Sequence, residues 1–232
     1  MKVVDINVEL LNSFGTDLTV VNAARVSFAK ESDWEYEIVE GYADYEGGGH
    51  LSDKDKGLIH FLARNKHKSP FNHAFLSFRV KAPIFIARQL VKHEYLPWNE
   101  VSRRYVTSEP EFYFPNMWRK KAGNVKQGSS DETACLSEGL ERDLYLNVMD
   151  SLANYKALLE EGVCSEQARM TLPQNVMTEW IWSGSLYAFM KMCKLRMDSH
   201  SQKETREVAE KIYGIINKLF PVSSEALLEY AE

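Results

Sequence analysis

Cysteine is scarce: only Cys135, Cys164 and Cys193 occur among 232 residues. An odd number with no C-x-x-C spacing excludes a disulfide framework and fits a reduced, cytoplasmic setting. No His or Cys pair stands at zinc-ligand spacing, so no metal site is expected. Also missing is any run near the roughly 20 apolar residues needed to cross a bilayer. The opening Met1-Lys2-Val3-Val4-Asp5 has no apolar signal-peptide core, so neither membrane insertion nor secretion is expected. Gly47-Gly48-Gly49 has no strand before it and no Lys-Ser/Thr after it, and reads as a flexible loop rather than a phosphate loop. Positive charge is in deficit: 28 Lys and Arg face 33 Asp and Glu, a formal net charge of −5. That disfavours general binding to a nucleic-acid backbone.

Against this acidic background, residues 88–105 (RQLVKHEYLPWNEVSRRY) gather Arg88, Lys92, His93, Arg103 and Arg104. Gln89, Asn99 and Ser102 add neutral hydrogen-bonding groups, and Glu100 adds a carboxylate. The run follows the apolar stretch Ala82–Ala87, which must be buried. Clustered cations on a buried anchor suit an anion-binding pocket. A solvated basic face is the competing reading. Pro97 speaks against it, because it puts Lys92-His93 and Ser102–Arg104 on different local elements. Trp98-Asn99-Glu100 reads as a tight loop corner that turns backbone N–H groups toward a ligand. A third reading makes Tyr95, Trp98 and Tyr105 stacking platforms for single-stranded nucleic acid; the net charge disfavours it. From these residues alone, a phosphate or nucleotide site and a basic face both stay open.

At 44% hydrophobic and 26% charged, the chain has the material for a core in one domain, residues 1–232. Val3–Leu11 reads as a strand, Ser13–Asp17 as a turn and Leu18–Val26 as a helix. Residues 31–53 are acidic and Gly-rich, a mobile insertion that Trp34 and Tyr36 could pin. Asp53–Lys66 is an amphipathic helix. Ala74, Leu76, Phe78 and Val80 alternate along a strand, and Pro83 starts a helix running to about His93. Glu111–Phe114 reads as a strand and 119–132 as an exposed polar loop. Helices are expected over 133–161, 165–171, 175–194 and 199–219, the first burying a stripe of Leu140, Leu144, Val148, Leu152 and Tyr155. Ser165 reads as an N-cap, and so does Asp198-Ser199 for the last helix. The fold class expected is α+β, a modest antiparallel sheet with long helices packed on it.

The motif R-H-R-x-x-S-x-N-x-x-S-x-R of the flavin-dependent thymidylate synthases can be laid on this stretch without a gap. His93, Asn99, Ser102 and Arg104 match it; Lys92, Glu94 and Pro97 depart from it. Lys92 keeps the charge but not the fork of a guanidinium. Glu94 reverses a charge. Ala23–Phe28 (AARVSF), His67–His73 (HKSPFNH), Phe78–Phe85, Ala168-Arg169 with Leu172-Pro173, and Leu195–Gln202 are similar to segments of that family in the same order. The chain therefore resembles this family from about residue 16 onward, apart from variable loops near 31–55 and 117–134.

The resemblance implies methylation of dUMP to dTMP with FAD as cofactor, and methylenetetrahydrofolate and NADPH as co-substrates. It also implies a homotetramer with sites between subunits. For dUMP it points to Gln89, Glu100, Ser102, Arg103, Arg104, Arg169 and Arg196, with Arg196 facing the uracil ring and Ser102 counted with it as catalytic. For FAD it points to Ser27, His67, Ser69, Lys92, His93, Glu94, Glu100, Lys191 and His200. His67 and His73 flank a Pro turn that they could merely cap. Glu94 implies either looser FAD binding than in relatives with Arg there, or compensation by Arg103 or Lys191. A catalytically impaired flavin- or nucleotide-binding homologue is the alternative. The family does not rely on a cysteine nucleophile. The thiols agree, since a reactive one needs an electropositive, partly exposed setting and Cys193 reads as a packed small hydrophobe.

Overall fold

The computed structural model describes residues 1–39, 42–43, 48–123 and 129–230. In chain order it contains β1 (Lys2–Val3), β2 (Asn7–Phe14), α1 (Asp17–Arg25), β3 (Ile38–Val39), β4 (Tyr42–Ala43) and α2 (Asp53–Arg64). These are followed by β5 (Phe75–Pro83), α3 (Ile84–Leu90), β6 (Trp98–Glu100), β7 (Glu111–Phe112), β8 (Arg119–Lys121) and β9 (Ser129–Thr133). The rest is α4 (Glu138–Glu160), α5 (Ser165–Ala168), β10 (Met177–Ser185), α6 (Leu186–Arg196), α7 (Lys203–Leu219) and α8 (Pro221–Tyr230). The class is α+β, as the sequence implies. Among the described residues, no helix is long and apolar enough to cross a membrane.

An antiparallel sheet in the order β2-β5-β10-β6 organises the chain. Alternation along its two central strands decides which face is covered. Leu76, Phe78 and Val80 of β5 and Trp180 and Trp182 of β10 are buried in the main core with residues of α6 and α7. The Phe189 ring of α6 meets those of Phe78 and Trp182 edge-on, at 5.0 and 5.5 Å between centroids. Each such burial contributes roughly 1.5–3 kcal/mol. The opposite face is more polar, with Ile181 exposed among charges: Arg79 pairs with Glu9 and Glu179, and the Ser77 and Ser183 hydroxyls lie 2.8 Å apart.

Several expectations need correction. Residues 175–194 are not one helix but the strand β10 followed by α6. Trp180, Trp182 and Gly184 are buried on alternate positions, so a period of two wins over apolar spacing that also fits a helix. Residues 119–132 are not a plain loop, because Arg119–Lys121 pairs with Ser129–Thr133; positions 124–128 lie outside the described residues. Trp98-Asn99-Glu100 is not a loop corner but the edge strand β6, paired with Trp180–Trp182. Of the first predicted strand, Lys2–Val3 pairs with β7 and only Asn7–Phe14 joins the sheet.

Helix ends also shift. The helix after Pro83 stops at Leu90, three residues short of His93. Helix α4 begins at Glu138, where Ser137 accepts the Leu140 N–H, and Leu140 stays exposed. Cys164, not Ser165, is the N-cap of α5. Gln202, not Asp198-Ser199, caps α7, and a further helix, α8, follows it. Its first N–H groups, from Val222 and Ser223, donate to buried Asp17. In the acidic insertion, Glu35 bridges to His50 and half-buried Trp34 packs where a Cβ on Gly49 would fall, 2.6 Å from its own Cβ. Gly47 lies outside the described residues.

Candidate functional site

Helix α6 ends at Arg196, directly across from the segment that follows α3. There the guanidinium Nε donates to Nε2 of His93 at 2.9 Å, and a terminal nitrogen donates to the Gln89 carbonyl at 3.2 Å. Burial, then the charges of Arg196 and Lys191, lower the His93 pKa to about 4. The imidazole is therefore neutral at pH 7, with its Nε2 lone pair aimed at the guanidinium. Burial also lowers the Arg196 pKa from its ordinary value. The result is a cation fixed in place with no carboxylate paired to it among the described residues.

From Gln89 a second set of bonds runs inward. Its Nε2 donates to Oε1 of Gln202 at 2.6 Å, and its Oε1 accepts from the Thr205 hydroxyl at 3.3 Å. Gln202 Nε2 donates to Glu204 at 3.0 Å, and Arg119 grips the same carboxylate with two bonds of 2.8 and 2.9 Å. The Arg119–Glu204 pair is well covered, with side chains 11% and 6% exposed. Together with Gln202, Phe85, Tyr113 and Trp118 it lines a cavity of about 500 Å³. Sequence reading gave Arg119, Gln202 and Glu204 no role. Arg119 sits in a strongly polar run, and 85 residues separate it from its partner.

A second cluster forms beyond β6. Glu100 accepts from Thr178 at 2.7 Å and from the Trp98 indole at 3.1 Å, so its carboxylate is fixed against the sheet. The Ser102 hydroxyl accepts the Arg104 backbone N–H at 3.3 Å. The Arg104 side chain bonds the Tyr105 hydroxyl and pairs with Glu166 at 3.5 Å, while Arg169 Nε donates to the Glu166 carbonyl at 3.3 Å. Arg104 and Arg169 thus meet at one residue of α5. Arg103 instead turns to the Ser108 carbonyl at 2.7 Å. Thr178, which holds Glu100, and Trp182, whose ring lies 6.4 Å from that of His93, are four residues apart on β10. That is about 13 Å along a strand.

The remaining candidates are dispersed. Ser27, His67 and Ser69 are exposed beyond α1 and α2. Lys68, between His67 and Ser69, lies over the Tyr187 ring at 5.5 Å, near the start of α6. Arg196 ends that helix nine residues later, roughly 13 Å along the axis. Within one chain, His67 and Ser69 are therefore not brought to His93. Lys92, Glu94 and Lys191 are exposed. His200 is exposed outside α7, its ring and backbone nitrogens both bonded to Asp198.

The family model described as thymidylate synthase complementing protein matches residues 9–222. The chain belongs to that family. It is 35% identical over 223 residues to the flavin-dependent thymidylate synthase of Thermosipho melanesiensis, covering 95% of this chain and 90% of the relative. The enzyme of that name from Thermus thermophilus is 36% identical over 223 residues, covering 96% and 76%. Among solved structures, the UMP/dUMP methylase PolB from Streptomyces cacaoi bound with 5-Br dUMP superposes with a TM-score of 0.80 at 30% identity, covering 99% and 98%. The same enzyme bound with 5-Br UMP gives 0.77, covering 97% and 95%.

As a member of the thymidylate synthase complementing family, the chain must provide for a flavin, and its donor chemistry fits one. Lys92 and Lys191 carry exposed ammonium groups, and Ser27, Ser69, His67 and His200 carry exposed hydroxyl and imidazole groups, all able to hydrogen-bond an anionic flavin cofactor. Glu94 is the one carboxylate among residues 91–97 and faces solvent. The thiols are placed for packing or solvent. Cys193 is fully buried, bonded to the Ala209 carbonyl, with its pKa pushed well up by burial, while Cys135 and Cys164 are exposed.

Proposed function

We propose that this chain is an FAD-dependent thymidylate synthase that methylates C5 of dUMP. Methylenetetrahydrofolate supplies the carbon and NADPH the reducing equivalents. The observation that carries the reading is Arg196, a cation fixed by neutral His93 and the Gln89 carbonyl in a chain of this family. Facing the uracil ring, it would stabilise negative charge that develops on the base as the C5–C bond forms and the C5 proton leaves. Ser102, Arg104 and Arg169 would grip the phosphate, and Gln89 and Glu100 the sugar side, with Arg103 supporting the loop through Ser108. Lys92, His93, Lys191, Glu94, Glu100, His200, Ser27, His67 and Ser69 would surround FAD. When bound, the flavin supplies the redox chemistry that completes the methyl group.

The family resemblance further implies that the sites lie between copies of the chain in a homotetramer. The PolB structures with 5-Br dUMP and 5-Br UMP favour a second substrate, UMP. Turnover of dUMP and UMP by the purified, flavin-loaded protein tests both. Formation of dTMP that depends on folate and reductant supports the proposal. Reductant oxidation with no methylated product from either nucleotide favours an impaired homologue.

A further inference from the structure

The bonds behind Gln89 have a direction set at their buried end. Glu204 is gripped by Arg119 through both oxygens. Burial opposes its ionisation, but the Arg119 and Gln202 bonds hold its pKa below the ordinary value. An ionised carboxylate only accepts hydrogen bonds. Gln202 must therefore turn its NH2 toward Glu204 and its carbonyl toward Gln89, and Gln89 must turn its own NH2 toward Gln202. One Nε2 hydrogen of Gln89 is used there, and the other has no partner among the described residues. A carboxamide can otherwise flip with little change of shape, presenting oxygen where nitrogen stood. Among the described residues, nothing else bonded to the Gln89 side chain prevents this, since the Thr205 hydroxyl can donate or accept.

We infer that Glu204, acting through Gln202, is a positioning residue that fixes Gln89 as a hydrogen-bond donor to an acceptor oxygen of the nucleotide. The inference rests on the proposed role of Gln89 as a nucleotide contact. Without the buried carboxylate, the Gln89 oxygen is turned toward the nucleotide in a share of molecules, and an attractive contact becomes a repulsive one. The Arg119–Glu204 pair thus sets nucleotide affinity without touching the nucleotide.

Calorimetric titration of dUMP into flavin-loaded wild-type protein, Glu204→Gln and Gln202→Met tests it. Both variants should weaken dUMP about tenfold, the loss of roughly one hydrogen bond plus a misplaced oxygen. Only Glu204→Gln should also lower the melting temperature clearly, because Arg119 then faces an amide. Gln202→Met keeps the ion pair and so separates positioning from stability. Wild-type affinity in Gln202→Met overturns the inference and leaves the proposed function standing. A wild-type protein that does not bind dUMP overturns both.

Discussion

Arg196 donates its Nε hydrogen to Nε2 of His93 at 2.9 Å, so a permanent cation is held by an uncharged imidazole. A carboxylate in the place of His93 would have neutralised the charge. The imidazole fixes the guanidinium's direction and leaves its field intact for a ligand. Arg196→Ala should therefore lower kcat for dUMP methylation about 10²–10³-fold, the size seen when one charge-stabilising donor is removed. The melting temperature should move little. Steady-state kinetics beside a thermal melt check this, and unchanged kcat removes Arg196 from the chemistry.

The same pair makes stability depend on pH. His93 has a pKa of about 4 in the fold against an ordinary 6.5. Between those values the unfolded chain binds a proton that the folded chain does not, so stability falls as pH drops from 6.5 to 4. Above pH 6.5 the contribution is complete. His93→Gln should show a shallower loss of melting temperature between pH 7 and pH 5 than wild type. Parallel slopes would mean that His93 titrates normally.

How much of this was legible in the sequence depends on range. The alternation Leu76, Phe78, Val80 and the one-turn spacing of Val148, Leu152 and Tyr155 describe local periodicity, and both are buried as expected. The segment 177–185 has large apolar residues that satisfy two periods at once, and only pairing with β5 and β6 selects the strand. Arg196 and His93 were each singled out from motif residues, but their contact, 103 residues apart, has no local trace. Glu204 and Arg119 resemble ordinary surface charges until the fold buries them together.

Gly184 bears on the site through sterics. A Cβ there would lie 2.4 Å from Leu96 Cδ2 and 3.0 Å from the Tyr95 carbonyl, where Tyr95 has a left-handed φ of 61°. The turn leading into β6 thus rests on the bare glycine. Gly184→Ala should destabilise by about 1–3 kcal/mol, as overpacking does. It should also raise KM for dUMP, because Ser102 and Arg104 follow β6. A denaturant melt with wild-type midpoint would contradict the close approach.

Arg104 and Arg169 converge on Glu166, one through an ion pair and one through its carbonyl. If both grip the phosphate, Arg104→Ala and Arg169→Ala should each raise KM for dUMP by about 10–100-fold, with a smaller effect on kcat. Wild-type affinity should also fall with added salt. Measured KM values near wild type for both variants would place the phosphate elsewhere.

Cys135 and Cys164 are exposed and Cys193 is buried, and the proposed chemistry uses none of the three thiols. A Cys135→Ser, Cys164→Ser double variant should keep wild-type turnover. Loss of activity without loss of flavin would show that a thiol takes part.

The most direct measurement is release of the C5 hydrogen from dUMP labelled at that position, using purified protein carrying its flavin. With methylenetetrahydrofolate and NADPH present, label should appear in water in step with dTMP, and Arg196→Ala should suppress both. Label retained on dUMP by wild-type protein under those conditions would contradict the account.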